Sequence, residues 1–414
     1  MSNCLACGET GMVNYLNLGN HPNANSFTTE FNKDLPRTPL MVDFCKSCSH
    51  SQLRHSLTSQ ELFEDYLYVS GTSKTLDKHF SDYVDYTLDR LAFKLPSPRV
   101  LEIASNDGSL LSKFKAKGCE VVGVDPAANL LPLAKEKGID TIVDYFPSPQ
   151  LRDQEFDIIV ANNVLAHHPN PVAFLRSCAY HLKLAKSREG CGTLYVEFPL
   201  WTNSVNTLDV GQVYFDHQSY ITLKSFKTMA EKARLTIVHV EEFPKIHGGT
   251  VRMCLQVINK SEPHCDKFLN MLKTEKLQGF HDLARYEKFN EGLQSNLGLL
   301  LSSSFFQNML GYKVVGYGAA AKASTILNTL NGSLPVEYII DDAPMKVDRF
   351  MPGLDIPIKP TASITEEPGG LCFVMFAHNF KDEIKQRLKQ YRQPHHKDAI
   401  LNIVPYCLPE NLYD

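Results

Sequence analysis

Apolar positions at Leu76, Phe80, Val84, Leu88, Leu91 and Leu95 recur about every 3.6 residues and predict a helix, which Pro96 and Pro98 end. Beyond it, short apolar runs alternate with helix-like segments: Val100–Ala104, Glu120–Val124, Thr141–Val143, Phe156–Ala161 and Thr193–Phe198. Such alternation predicts a parallel sheet with helices on both faces. Two later runs, Leu235–Val240 and Thr250–Val257, have no long helix between them and fit an antiparallel pair added at one edge. A polar helical stretch from about 265 to 310 then leads into the run Lys313–Gly318. A small-residue helix and the runs Val336–Ile340, Leu371–Phe376 and Ile400–Val404 follow, a second and smaller α/β unit. Before Leu62 no strong helical period appears, and turn residues such as Gly19-Asn20-His21-Pro22-Asn23 suggest a loop-rich start. The pattern divides the chain into units at 1–75, 76–258 and 259–414, with no internal repeat.

Composition narrows the class. Of 414 residues, 43% are apolar and 21% charged, which suits an ordinary globular protein with more than one core. Formal charge is −4, with no long basic run, so nucleic acid is not the expected partner. No charged-then-apolar leader opens the chain, and no apolar stretch nears the ~20 residues a membrane span requires. Eleven cysteines, an odd number and mostly scattered, fit a reducing compartment, so a cytoplasmic protein is expected.

Four of those cysteines are paired. Cys4-x2-Cys7 and Cys45-x2-Cys48 each put two thiolates on a tight turn, and four sulfurs complete a tetrahedral zinc site. With no open coordination position, that zinc is expected to hold the N-terminal unit together and do no chemistry.

The strand Val100–Ala104 carries Glu102 and leads through Ser105-Asn106-Asp107-Gly108 into a helix, an arrangement that binds nucleotide-like cofactors. The next strand ends in Asp125, an acid placed to accept bonds from ribose hydroxyls. Asn162 and Asn163 end a further strand facing the same crevice. Any doubly wound unit, a dehydrogenase included, would share these features. The turn is not GxGxxG, however, and seven strands with a terminal antiparallel pair favour an S-adenosylmethionine-dependent methyltransferase.

At this point the whole chain resembles a known family, the three-domain zinc-containing C-methyltransferases that act on nucleotide-linked deoxysugars. The resemblance rests on the two CxxC pairs, Asp65-Tyr66-x-Tyr68-x-Ser70, Glu102-x-x-Ser105-Asn106-Asp107-Gly108 and Asn162-Asn163-Val164-Leu165-Ala166-His167. It continues through Glu197-Phe198-Pro199, Tyr214-Phe215-Asp216-His217, His247-Gly248-Gly249 and Gly316-Tyr317-Gly318-Ala319-Ala320-Ala321-Lys322. It implies a class I, Rossmann-like cofactor core between a zinc-binding domain and a C-terminal Rossmann-like α/β domain that helps bind the nucleotide sugar. Two stretches depart from the family. Ala104 stands where glycine is usual, and Phe215 and Asp216 replace the His and Glu of a Tyr-His-Glu-His run.

Methylation at carbon beside a ketone requires a base near neutral pKa and a donor for the enolate oxygen. His217 is the expected base, with Tyr214 and Tyr68 as candidates to bind the ketone oxygen, and Asp216 and His167 close by. Tyr66, Ser70, His247, Arg252, Gly316, Gly318 and Lys322 are the candidate substrate contacts, the last three for a diphosphate. His168 reads as a surface residue. Expected partners are a nucleotide-linked keto-deoxysugar and no nucleic acid or membrane, in a monomer or small homo-oligomer. The competing readings are an O- or N-methyltransferase of a small metabolite and a non-catalytic zinc-containing binding module.

Overall fold

A computed structural model describes residues 3–63, 69–72, 74–90, 96–184, 192–244, 246, 248–257, 263–404 and 409–413. Its centre is a seven-stranded sheet. The strand order is Leu235–Phe243, Thr250–Val257, Thr193–Pro199, Ile158–Asn162, Arg99–Ile103, Glu120–Val124 and Thr141–Ile142. The strands from Thr193–Pro199 onward are parallel, while Thr250–Val257 and Leu235–Phe243 are antiparallel. The five parallel runs and the edge pair therefore form where the apolar pattern places them. One face packs on Leu175, Leu182, Phe226 and Met229, the other on Tyr83, Leu110, Leu111 and Phe114. The helix Lys74–Asp89 supplies part of that second face; Leu91 and Leu95 lie outside the described residues.

The N-terminal unit departs from the loop-rich expectation. Val13–His21, Thr38–Phe44 and Ser51–Leu53 form an antiparallel sheet, completed by Ser219–Tyr220 from far along the chain. Register shifts between Asn14 and Leu16 and between Asn17 and Asn20 break the inward–outward alternation, which hid the strand from a period-two reading. The extra strand brings the segment after Trp201 against the N-terminal sheet, and Tyr214–His217 lies on that segment.

The last unit is a six-stranded sheet in the order Ile358–Lys359, Tyr338–Ile340, Lys313–Tyr317, Leu371–Met375, Ala399–Asn402 and Pro409–Asn411. All its pairs are parallel except the last. The expected polar helical stretch is two helices, Asp266–Leu277 and Leu283–Met309. Tyr286 of the longer one meets Phe44 and Tyr15 of the N-terminal sheet at ring-centroid distances of 4.7 and 5.2 Å. First and last units thus share one continuous apolar core. This shared core turns the C-terminal ends of both parallel sheets toward a common cleft.

Candidate active site

The four cysteine sulfurs all lie within 4.8 Å of one another, with Cys4–Cys48 and Cys7–Cys45 each at 3.5 Å. A zinc bound by four sulfurs at ~2.3 Å has S–S edges of about 3.8 Å, so these thiolates need only small adjustments to hold the ion. Gln52 fixes the first turn by accepting from the Leu5 amide and donating to the Asn3 carbonyl.

A cavity of about 400 Å3 runs between the ends of the two parallel sheets. At one end stands the turn after Arg99–Ile103. Three of its residues are left-handed, with φ of 59° at Ala104, 51° at Asn106 and 71° at Gly108. Glycine adopts this backbone freely, which explains why Ala104 is a departure: its Cβ costs about 1 kcal/mol there. Asp125 organises the turn, accepting from the Asn106 and Ala127 amides at 2.8 Å each. Each of its oxygens keeps a second lone pair for a ligand.

Several buried polar atoms around this end lack partners among the described residues. Glu102 Oε2, Ser105 Oγ, both side-chain polar atoms of Asn162 and Asn163 Oδ1 are buried and unbonded among the described residues, and all four residues line the cavity. Such atoms cost free energy unless a ligand satisfies them. Burial, followed by the nearby Asp107 and Asp125, pushes the Glu102 carboxyl well above its ordinary range. The set fits a ligand rich in both donors and acceptors with a cationic group, as S-adenosylmethionine is.

Asp107 and Ser70 have different partners from those expected. The Asp107 carboxylate is held by Lys137, the Ser109 hydroxyl and the Gly71 amide. Ser70 gives its amide to Asn106 Oδ1 at 3.0 Å, so it closes over the cofactor turn.

The opposite wall carries Tyr214, Asp216 and His217. His217 Nδ1 lies 2.8 Å from the Gln212 carbonyl, which requires a hydrogen on Nδ1 and leaves Nε2 as the basic atom. The Tyr214 hydroxyl is 3.0 Å from that Nε2, and the two rings stack with centroids 4.3 Å apart. His167 meets His217 edge-on at 4.9 Å. Burial and then the neighbouring His217 push its pKa well below the ordinary value, so His167 is neutral. Asp216 Oδ2 accepts from the Asn25 side chain at 3.0 Å, while its buried Oδ1 has no partner among the described residues. Burial raises its carboxyl to about 7. Phe215 is 1% exposed in the shared core and faces away from the cavity, so no imidazole could serve the site from that position.

Farther along, the strand Lys313–Tyr317 ends in Gly318, φ 93°, and the helix Ala321–Thr329 begins with Lys322 at the cavity wall. A side chain on Gly318 would come within 2.7 Å of Ala377. Gly316 is a packing glycine, pressed between Ile339 and Phe376. Burial lowers the Lys322 ammonium, partly offset by Asp209, which itself pairs with His378 at 3.1 Å.

Arg252 lies away from the cleft that its expected substrate role requires. It sits 2% exposed within Thr250–Val257, one strand in from the sheet edge, bonded to Glu197 at 2.9 Å and Glu241 at 3.1 Å, with its guanidinium over Tyr83. Paired on both sides, it has no fork left for a phosphate. It instead supports Glu197, which lines the cavity and bonds His79 at 2.7 Å. His168 also differs from expectation, lining the cavity rather than the surface. Tyr66, Tyr68 and His247 lie outside the described residues. Sequence reasoning missed Asn25 and His79, which reach the cavity only through tertiary packing and belong to no local motif.

Sheet order, left-handed turn and unsatisfied wall together define an S-adenosylmethionine-dependent methyltransferase of class I fold. Comparison with known families agrees, domain by domain. Residues 4–63 match the family described as "Putative zinc binding domain", 76–240 a "Methyltransferase domain" and 245–402 a "C-methyltransferase C-terminal domain". A C-methyltransferase of Streptomyces niveus, NovU, is 26% identical over 94% of this chain and 92% of its own length. A ubiquinone biosynthesis O-methyltransferase of Xanthomonas campestris is 29% identical, but over only 28% of this chain and half of its own. Among solved structures, the PH0226 protein of Pyrococcus horikoshii covers 48% of this chain and 98% of its own at 14% identity and a TM-score of 0.38. Matched in all three units, the chain is an S-adenosylmethionine-dependent methyltransferase similar to zinc-containing C-methyltransferases; its cofactors are S-adenosylmethionine and a structural zinc. No helix among the described residues is long and apolar enough to cross a membrane.

Proposed function

We propose that the chain methylates C3 of a nucleotide-linked 4-keto-6-deoxysugar, with His217 as the base. One observation carries this reading: the Tyr214–His217 pair faces the Glu102–Gly108 turn across a single cavity. S-adenosylmethionine, when bound, supplies an electrophilic methyl group on a sulfonium. Everything else falls to the protein. The Gln212 carbonyl keeps the His217 Nε2 lone pair available for the α-proton of the sugar. The Tyr214 hydroxyl turns its hydrogen from Nε2 to the ketone oxygen of the sugar, so that Nε2 accepts the α-proton while the hydroxyl stabilises the developing enolate oxygen. Lys322 and the amides after Gly318 bind the diphosphate. His217 is buried, which limits the water that would otherwise quench the enolate.

The domain division at 75 and 258 belongs to this reading. Its support is that Thr250–Val257 pairs with Thr193–Pro199 inside the central sheet. We place the enzyme in the cytoplasm, with the sugar nucleotide as its partner.

The test is incubation with methyl-labelled cofactor and a panel of nucleotide-linked 4-keto-6-deoxysugars, with exchange of the α-proton for solvent deuterium followed in parallel. Label in a carbon-bound methyl and exchange lost in His217→Ala support the reading. Transfer to oxygen or nitrogen without exchange would overturn it.

A further inference from the structure

The helix Leu283–Met309 buries Tyr286, Phe289, Leu293, Leu297 and Leu300 against the shared core. Its outer face over the last turns is apolar too. Twelve large apolar side chains are exposed among the described residues, and five of them are Leu299, Phe305, Phe306, Met309 and Leu310. Leu299 and Phe306 are 57% exposed and Met309 is 83% exposed. A surface helix ordinarily turns charged residues to water, yet no Asp, Glu, Lys, Arg or His occurs from Gly292 through Tyr312. None of the five side chains lines the cavity.

We propose that this face is the interface between two copies of the chain, joined about a two-fold axis. Three observations favour a second copy as the occupant. A two-fold contact presents a patch to itself, so any charge on it would approach its like; this face carries none. The face is also self-complementary in relief. Gly298 and exposed Ser302 form a notch beside Leu299 and Phe306, and a Cβ on Gly298 would meet nothing within 4 Å. In an antiparallel pairing centred near Ser303, Leu299 of one copy lies beside Phe306 of the other, and Met309 lies beside the notch at Gly298. The area is sufficient as well. The exposed parts of the five side chains amount to roughly 500–600 Å2, the upper end for a monomer's largest apolar patch. Two copies bury roughly 1,000–1,200 Å2, enough for a specific interface. Both catalytic clefts stay open in such a dimer.

Sedimentation of the zinc-loaded full chain at about 10 μM tests this in a range where micromolar dimers are populated. The wild type is expected at twice the 46.6 kDa chain mass, and Phe306→Asp at the single mass with unchanged cofactor affinity. Met309→Lys, altering the most exposed of the five, gives the same readout should Phe306→Asp fold poorly. A wild type of single mass would overturn the proposal, as would a dimer that survives both substitutions.

Discussion

The two ends of the cleft are built on different principles. The cofactor end centres on one strand–turn–helix, Arg99–Ala116, joined by Asp125, Asn162 and Asn163 from the ends of the two neighbouring strands of the same sheet. The acceptor end draws Asn25 from the first unit, Tyr214–His217 from a long connection, and Lys322 and Asn379 from the last unit. Local construction keeps the cofactor turn general, a device any methyl acceptor could share. Distributed construction makes acceptor choice a property of how three units pack. The two ends should therefore respond separately to substitution.

The sharpest test of that separation is His217→Ala. Turnover should fall by about 10²- to 10⁴-fold, the usual weight of a general base, while cofactor affinity measured by calorimetry stays within about twofold. A parallel loss of cofactor affinity would show that the two ends are coupled and break the comparison. Lys322→Met comes next. Removing one charge from a diphosphate contact should raise KM for the sugar nucleotide by about 10- to 100-fold, or roughly 1.5–3 kcal/mol, with kcat changed far less. An effect confined to kcat would move Lys322 from binding to chemistry.

How much of each end could be read from the sequence follows the same divide. Glu102, Asp125, Asn162 and Asn163 are strand-end residues, and apolar periodicity alone predicts where those strands end. The cysteine pairs were legible because two short spacings suffice to describe a tetrahedral site. Tyr214–His217 could be placed only through family resemblance, since it lies in no periodic element. Asn25 could not be placed at all: its partner Asp216 is 191 residues away. Arg252 was misread for the complementary reason. Beside a glycine-rich joint it looked free for an anion, but its strand position commits the guanidinium to Glu197 and Glu241.

Asp216 permits a test by pH. Burial raises its folded-state carboxyl to about 7, against about 3.9 in an unfolded chain. The folded protein therefore holds this proton more tightly. Its contribution to stability is complete below about pH 4 and is lost as pH rises through about 7. Asp216→Asn removes that dependence, so between pH 5 and 8 the wild type should lose stability relative to the variant, as followed by urea midpoints. Equal slopes in the two proteins would mean that the cavity wall is wetter than its packing implies. The cofactor end should show no matching change, because its own carboxylates are the same in both proteins.

The smallest effect comes from the one strained residue of the cofactor turn. Ala104 holds φ at 59° with its amide bonded to the Val124 carbonyl, so its conformation is imposed by the sheet and not chosen by the side chain. Ala104→Gly relieves about 1 kcal/mol of that strain. Glycine also gains freedom when the chain unfolds, which takes back roughly half. A net rise of only a few tenths of a kcal/mol is expected, about a degree or two in Tm for a chain this long. Cofactor affinity is the more telling measurement. If the methyl group of Ala104 narrows the cofactor's approach, glycine should tighten binding severalfold and leave KM for the sugar nucleotide unchanged. Tighter binding of both ligands would instead show that strain in this turn is transmitted across the cleft, and the two ends would then not be independent.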